Sequence, residues 1–418
     1  MEAIYLLFYY IINMVILCTQ RKKVVEYLYY FEERELFVKI LIASDLFDPS
    51  ISGIVTSVKI LAKGLKDNGH DVKILSLSDT GEEKRIGNAY LIASTSASKI
   101  YPKARIGLPK KNTLMQELID WNPDVIHTNC EFSTFAASCH ISKRTKAPMV
   151  HTYHTVYEAY VGYLSFAGFF IKKTIPNIMR SVSRRADCFI APTQKIHRIL
   201  TRYRIKNKIY VIPSAIDEFF FNNDYSSFRD ETREKYGIRK DECLLLFLGR
   251  IAKEKNIEEL LDYLADDELK DFRIMLAGDG PYIKKIENYC KKLGIFDRVI
   301  FTGMINPEDV PKYYMAGDVF INASTSETQG LTYMEAMACS LPILCRYDSC
   351  LDGVIKSEEN GFVYNTKEEF IHYIKLLCDN VDLRKSVGAN AKKTVFDKYT
   401  PKAYVEACEK VYLALQKN

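Results

Sequence analysis

The feature that most constrains the fold is an alternation of short apolar runs with amphipathic helical stretches, sustained from Val38 almost to the C-terminus. Val38-Lys39-Ile40-Leu41-Ile42-Ala43 is the first run. It is too short for a helix and too apolar for a half-exposed strand, so it reads as a strand buried on both faces. A tight loop, Ser52-Gly53-Ile54, leads into a helix expected over 55–68, with Val58, Leu61, Ala62 and Leu65 on one face and Gly69 as its stop. Further strands are expected at 72–77, 125–128, 149–152, 188–191 and 210–212. Strands that alternate with helices are joined by crossovers and lie parallel. The pattern breaks at Pro213-Ser214-Ala215-Ile216-Asp217 and a polar stretch over 222–230, then restarts. Its second half predicts strands at 244–248, 273–277, 299–301, 319–321 and 342–345, a helix at 257–264 and a last helix near 401–416. The expected architecture is α/β, with two Rossmann-like doubly wound parallel-sheet domains facing across a cleft. The division expected is 38–215 for the first domain and 216–395 for the second. Residues 396–418 form a C-terminal helix that returns toward the first domain, and 1–37 form an apolar extension.

Composition agrees with two domains and excludes several functions. A chain of 418 residues exceeds the ~250–300 at which single cores stop growing. The net charge of +5 is too mild to argue nucleic-acid binding. The 11 cysteines are odd in number and lack CxxC or Cys/His ligand spacing, which predicts reduced thiols with neither a disulfide framework nor a zinc site. His127, His151 and His154 invite a metal reading. The three-residue spacing of the last two on a strand-to-loop segment points their rings apart, and no carboxylate cluster accompanies them.

The chemistry concentrates in Ser324-Thr325-Ser326-Glu327-Thr328-Gln329-Gly330-Leu331-Thr332-Tyr333-Met334-Glu335-Ala336-Met337-Ala338. A strand ends near Asn322, a loop carries Glu327 and Gly330, and a helix begins near Leu331. Free N–H groups at a helix start attract an anion, and a glycine there lets a phosphate approach. Glu327 sits where it touches a donor sugar; Glu335, about two turns into the helix, suits a ribose instead. Gly249-Arg250 followed by Lys255 places two cations after a strand, suited to a departing diphosphate. Taken by themselves, these residues also fit a solvated surface helix and a surface charge cluster.

The Ser-Glu-Thr-x-Gly-Leu-x-x-x-Glu-Ala-Met-Ala frame, together with Gly249-Arg250 and Lys255, resembles the signature of family-4 retaining glycosyltransferases of the GT-B fold. Gly278-Asp279-Gly280-Pro281 and Phe301-Thr302-Gly303-Met304-Ile305 match the same family. The resemblance implies a retaining, metal-independent transfer from a UDP-sugar, with no cofactor. It assigns Arg250, Lys255 and the N–H groups near Gly330 and Leu331 to the diphosphate, Glu335 to the ribose and backbone near Met304 to the base. Gly53 belongs to a glycine-rich loop near the donor phosphate, and Glu327 and His154 hold the sugar as catalytic residues. His127 and His151 are left as core or loop histidines. A dinucleotide oxidoreductase is disfavoured because the loop of Gly53 lacks GxGxxG. Two departures stand out. Ser214-Ala215 replaces the family's usual Asn-Gly, and Ser340 stands where a glycine commonly precedes Leu-Pro. The resemblance begins at Val38, so the apolar run 4–18, followed by Arg21-Lys22-Lys23, is expected to be either an interfacial anchor or an extension upstream of a start at Leu36 or Val38. At 15 residues the run is short of the ~20 a spanning helix needs.

The segment from His151 to Tyr160 resembles the corresponding loop of bacterial 1,2-diacylglycerol 3-glucosyltransferases, as do the stretches around Gly53 and Glu327. That implies a hexose, glucose, moved to diacylglycerol or a related glycolipid, with Tyr157 and Glu158 as acceptor residues. Aromatic residues follow at Tyr160, Tyr163, Phe166, Phe169 and Phe170, and between 172 and 208 eleven Lys or Arg stand against one acid, Asp187. Such a surface suits peripheral docking on the anionic inner face of the cell membrane from the cytoplasm, although a solvated basic face gives the same pattern. The rival readings are a capsule or cell-wall polysaccharide glycosyltransferase of the same fold and a non-catalytic sugar-nucleotide-binding protein.

Overall fold

The computed structural model describes residues 37–48, 52–98, 105–107, 113–157, 167–222 and 227–416. The expectations for residues 1–36, for Glu158 and for the aromatic run from Tyr160 to Phe166 lie outside them.

The first half forms strands β1 (Lys39–Ala43), β2 (Asp71–Leu77), β3 (Lys84–Ile86), β4 (Ala89–Ile92), β5 (Ser94–Ser96) and β6 (Arg105–Gly107). They are followed by β7 (Val125–Thr128), β8 (Met149–Thr152), β9 (Cys188–Ala191) and β10 (Lys208–Val211). Eight of these make one sheet in the order β10-β9-β8-β7-β1-β2-β4-β3, parallel except for the β3–β4 pair; β5 and β6 pair separately. The second half contributes β11 (Leu244–Leu248), β12 (Arg273–Ala277), β13 (Val299–Phe301), β14 (Val319–Asn322), β15 (Ile343–Arg346) and β16 (Gly361–Tyr364). These form a wholly parallel sheet, β13-β12-β11-β14-β15-β16.

In both sheets the strand order reverses at the first strand. β1 lies between β2 and β7, and β11 lies between β12 and β14. The loops leaving such a switch point diverge to opposite faces of the sheet and leave a crevice at the carboxyl ends of the strands. The loops after β1, β7, β11 and β14 therefore line that crevice, and they carry Gly53, Asn129, Arg250 with Lys255, and Glu327 with Gly330.

The Gly53–Asp67 helix is capped by the Ser52 side chain, which accepts from Val55 N, and Gly69 follows at φ 88°. Its buried face is Val55, Val58, Leu61, Ala62 and Leu65. Each fully buried Leu of this kind contributes about 1.5–3 kcal/mol. Helix Pro401–Gln416 crosses over to pack on it, where Gly64 makes room for the Val405 side chain. Polar contacts fix the same crossing: Ser57 Oγ lies 2.9 Å from the Tyr404 hydroxyl and His127 Nδ1 lies 2.6 Å from the Tyr412 hydroxyl.

Three sequence expectations are corrected. Cys243 and Cys378 form a disulfide with Cα atoms 5.7 Å apart, where reduced thiols were expected. The two are 135 residues apart, and folding brings the entry of β11 against helix Lys367–Asp379, so no local spacing announces them. Glu335 is the fifth residue of helix Leu331–Ala338, just over one turn in, since a turn takes 3.6 residues. β3, β4, β5, β6 and β16 are additional strands, each only three or four residues long; β4 and β3 extend the first sheet beyond β2, and β16 is an edge of the second. A short apolar run carries no period of its own to distinguish it from loop.

Candidate active site

The second sheet supplies a charged wall. β14 ends at Asn322, and the loop to helix Leu331–Ala338 turns at Gly330, the N-cap, with φ 78°. A side chain there would meet both that backbone conformation and the ring of Tyr333, so the glycine has a structural reason beyond access for a phosphate. Lys255 Nζ lies 2.6 Å from Glu327 Oε1. Burial pushes the Glu327 carboxyl up, but the charge and hydrogen bond of Lys255, a hydrogen bond from Ser324 and the charge of Lys195 together hold it below the usual carboxylate range. Glu327 is therefore an anion at neutral pH, an acceptor for hydroxyl donors. Arg250 pairs with Glu254 four residues on, with the carboxylate buried and the guanidinium 35% exposed. Lys255 thus reaches the loop before the Leu331–Ala338 helix, and a Cβ on Gly249, next to Arg250, would lie 4.0 Å from Thr332 Cγ2 in its first turn, where N–H groups carry partial positive charge.

Glu335 lies deeper. It accepts a hydrogen bond of 2.8 Å from the Tyr314 hydroxyl, and burial pushes its carboxyl up to about 7. Met304 is 62% exposed in the turn after β13. A bridge between Gly303 and Gly278 sets this turn beside the Gly278-Asp279-Gly280 loop, and Gly278 abuts the Gly249 carbonyl so closely that no side chain fits.

The first sheet supplies a wall of imidazoles. His127 and His151 are wholly buried at the ends of β7 and β8. His151 bonds Thr128 Oγ1 at 2.8 Å and faces Glu131 at 3.3 Å, and His127 bonds Thr152 Oγ1 at 2.6 Å. His154 follows β8, with Nε2 2.9 Å from Asn129 Oδ1. Burial, then the neighbouring His151, drops His154 to about 3; burial, then His154 and His151, drops His127 to the same value. Both rings are neutral near pH 7, and His154 Nε2, facing a carbonyl-type oxygen, carries the proton. Tyr157 donates to Glu131, whose other oxygen faces His151. Burial, then the Glu131 charge, raises the Tyr157 hydroxyl well above its ordinary value. Among the described residues no three His, Cys, Asp or Glu side chains converge as metal ligands.

The walls touch at the donor loop. Thr328 Oγ1 donates to the His154 carbonyl at 2.8 Å, and Thr193 Oγ1 donates to the Thr328 carbonyl at 2.8 Å. A Cβ on Gly53 would lie 3.3 Å from Leu331 Cδ1. The Gln329 side chain bonds both the N–H and the carbonyl of Ser214, at 2.8 and 2.7 Å, and Ser57 donates to the Ser214 hydroxyl at 3.0 Å. The departure at Ser214 thus lies in a polar joint between the halves. Ser340, the other departure, adopts φ 60°, the left-handed conformation that favours the glycine it replaces.

The structure unites Lys255 with Glu327, His154 with Thr328 and Gly53 with Leu331. Residues the sequence did not single out are Asn129, which holds His154, Glu131, and the pair Lys195 and Asp348 that braces the Glu327 loop. None had a local signal: each is an ordinary polar residue whose partner lies at least 20 residues away. The basic block 172–208 also divides. Lys195 and Arg198 turn to Asp348 and Asp352 of the other half, whereas Arg184, Arg185, Arg202, Arg204, Lys206 and Lys208 are exposed.

Comparison with known proteins agrees with this arrangement. Residues 228–394 match the family model "Glycosyl transferases group 1", and residues 51–218 match "Glycosyltransferase Family 4". The chain is 31% identical over 391 residues to the alpha-monoglucosyldiacylglycerol synthase of Acholeplasma laidlawii, covering 90% of this chain and 97% of that one. It is 33% identical to the Streptococcus pneumoniae protein of the same name over 332 residues, 78% of this chain and 75% of that one. Among solved structures, HepE of Anabaena in complex with UDP superposes with a TM-score of 0.70 at 17% identity, covering 90% of this chain and all of that one. Sucrose-phosphate synthase of Thermosynechococcus elongatus gives 0.73 at 20% identity, covering 90% and 98%.

Proposed function

This chain belongs to the family-4, group 1 glycosyltransferases of GT-B fold, and we propose that it moves glucose from UDP-glucose to diacylglycerol with retention and without a metal ion. The observation that carries the reading is the meeting of Lys255, Glu327 and the start of helix Leu331–Ala338 with the His154 loop across the cleft. UDP leaves with two phosphates' worth of negative charge. Arg250, Lys255 and the N–H groups near Gly330 and Leu331 are fixed before the reaction to receive it, which is what electrostatic catalysis requires. Glu327 accepts hydrogen bonds from sugar hydroxyls, and neutral His154, its Nε2–H held by Asn129, offers Nδ1 as a second acceptor. Glu335 serves the ribose, and the turn at Met304 the base. The C1–O bond to UDP breaks, the acceptor oxygen bonds C1 from the same face, and its proton passes to the departing diphosphate.

Support for the donor comes from the UDP held by the Anabaena neighbour, and support for the acceptor from the diacylglycerol named in the two synthases. Tyr157 stands at the cleft beside Glu131 and is the proposed acceptor contact. The exposed arginines of the first domain are proposed to rest on anionic lipid; among the described residues no helix is long and apolar enough to cross a membrane. The test is incubation of the full chain with UDP-glucose, excess EDTA and either diacylglycerol vesicles or soluble oligosaccharides, with products read by mass spectrometry and anomeric NMR. Alpha-glucosyl diacylglycerol is expected. Transfer only to oligosaccharide overturns the acceptor, and loss in EDTA restored by Mg²⁺ overturns metal independence.

A further inference from the structure

A lysine from the first domain completes the loop that carries Glu327. Helix Gln194–Arg202 is capped by Thr193, and Lys195 lies in its first turn. The Lys195 ammonium crosses to the second domain, where it sits 2.7 Å from each carboxylate oxygen of Asp348, 2.8 Å from the Glu327 carbonyl and 3.3 Å from the Thr325 carbonyl. Asp348, with a side chain 1% exposed, accepts from Glu327 N at 3.2 Å and from Cys350 N at 2.9 Å. Both backbone polar groups of Glu327 are thus held by one ion pair: the carbonyl by Lys195 and the N–H by Asp348. One half of that pair belongs to the other domain. Arg198, one turn further along the same helix, makes a second crossing to Asp352 at 3.1 Å, but with both side chains largely exposed.

We infer that Lys195 is a positioning residue that sets Glu327 only when the two domains are closed. Taken away, it leaves a buried carboxylate, Asp348, without its cation and next to the backbone of an acidic loop, a condition buried charges do not tolerate. The carboxylate then draws water or turns, and the Glu327 peptide loses the partners on both of its faces. Closing the cleft over the donor and assembling the sugar-binding loop become one event, so that the opened molecule holds the nucleotide but lacks the sugar-binding geometry. A disordered or misplaced group at the reacting centre lowers turnover more than it lowers donor affinity.

The inference rests on the proposed donor and is tested separately from it. Lys195→Met keeps the length of the side chain and removes the charge. In steady-state transfer it is expected to lower kcat at least tenfold, while calorimetry gives a Kd for UDP within twofold of wild type, since the nucleotide site lies in the second domain. Lys195→Arg restores part of the lost kcat. Asp348→Asn keeps an oxygen for the Glu327 N–H and loses the charge; it falls with Lys195→Met, and the double variant is no slower than the slower single. Small-angle scattering reads closure without any transfer: with saturating UDP, Lys195→Met has a larger radius of gyration than wild type. A kcat within twofold of wild type, or multiplicative losses in the double variant, overturns the inference. If the wild type binds UDP but glucosylates nothing, the proposed reaction fails, and equal radii for wild type and Lys195→Met then overturn the inference on their own.

Discussion

The two walls of the cleft are built alike and charged differently. Both present loops from the reversal point of a parallel sheet, β1 with β7 on one side and β11 with β14 on the other. The second domain fills its loops with ions: Arg250 with Glu254, and Lys255 with Glu327. The first fills its crevice with imidazoles bonded to Thr128, Thr152 and Asn129, and burial holds two of them, His127 and His154, neutral. On the proposed reading, one fold therefore serves two electrostatic tasks. A leaving diphosphate needs fixed charge, whereas a sugar or an acceptor hydroxyl needs aimed hydrogen bonds, and ions there would draw water into the site.

The largest expected effect lies on the charged wall. Arg250→Ala and Lys255→Ala should each lower kcat by about 10²–10³, the loss of roughly 2.7–4 kcal/mol that follows removal of one preorganised transition-state partner. Circular dichroism should show the fold retained. If both variants turn over within tenfold of wild type, the division of labour between the walls is broken.

Next comes the pH dependence of stability, where the walls should oppose each other. His127 and His154 sit at about 3 in the folded protein, below their ordinary value, so the unfolded chain binds more protons between about 3 and 6.5. Their contribution is present above 6.5 and lost as pH falls toward 3, at up to about 1.4 kcal/mol per pH unit for each group. Glu335, pushed up to about 7, binds its proton more tightly when folded; its contribution is present below about 4.5 and lost as pH rises through 7. Denaturant midpoints measured from pH 5 to 8 in His127→Gln should show a shallower acid-side loss, and in Glu335→Gln a shallower alkaline-side loss. Unchanged slopes in both would remove the electrostatic contrast.

The smallest effect is expected at the exposed face of the first domain. Reversing Arg184, Arg185, Arg202 and Arg204 to Glu should weaken binding to anionic vesicles several-fold and leave UDP affinity unchanged. Salt should release the wild type as the Debye length falls from ~10 Å at 0.1 M to ~3 Å at 1 M. A chain beginning at Val38 isolates this face from the apolar segment before it. Equal recruitment of the variant and the wild type would assign lipid contact to another surface.

Much of this was legible before any coordinates. The strands at 125–128, 149–152, 188–191, 244–248, 273–277 and 299–301 coincide with β7, β8, β9, β11, β12 and β13, because a strand buried on both faces is a short, mainly apolar run. The turn at Gly330 and the helix from Leu331 were equally plain, since an N-terminus after a glycine is a local event. A helix start at Leu331 with 3.6 residues per turn itself places Glu335 just over one turn in, whereas its partner, Tyr314, comes from another helix and has no local signal.

The sequence by itself determined the alternation, the two sheets and the identities of the ions at the donor loop. These follow from periodicity and from contacts within about a turn, which the chain carries wherever it goes. Only the tertiary structure decided what those ions do to one another. It joined Lys255 to Glu327 across 72 residues and Lys195 to Asp348 across 153, bonded Cys243 to Cys378, and turned a lysine of a basic surface block into the brace of the opposite domain. Charge has no direction along a chain. Its partner is chosen by the closure of the cleft and by burial, which makes an unpaired ion too costly to keep.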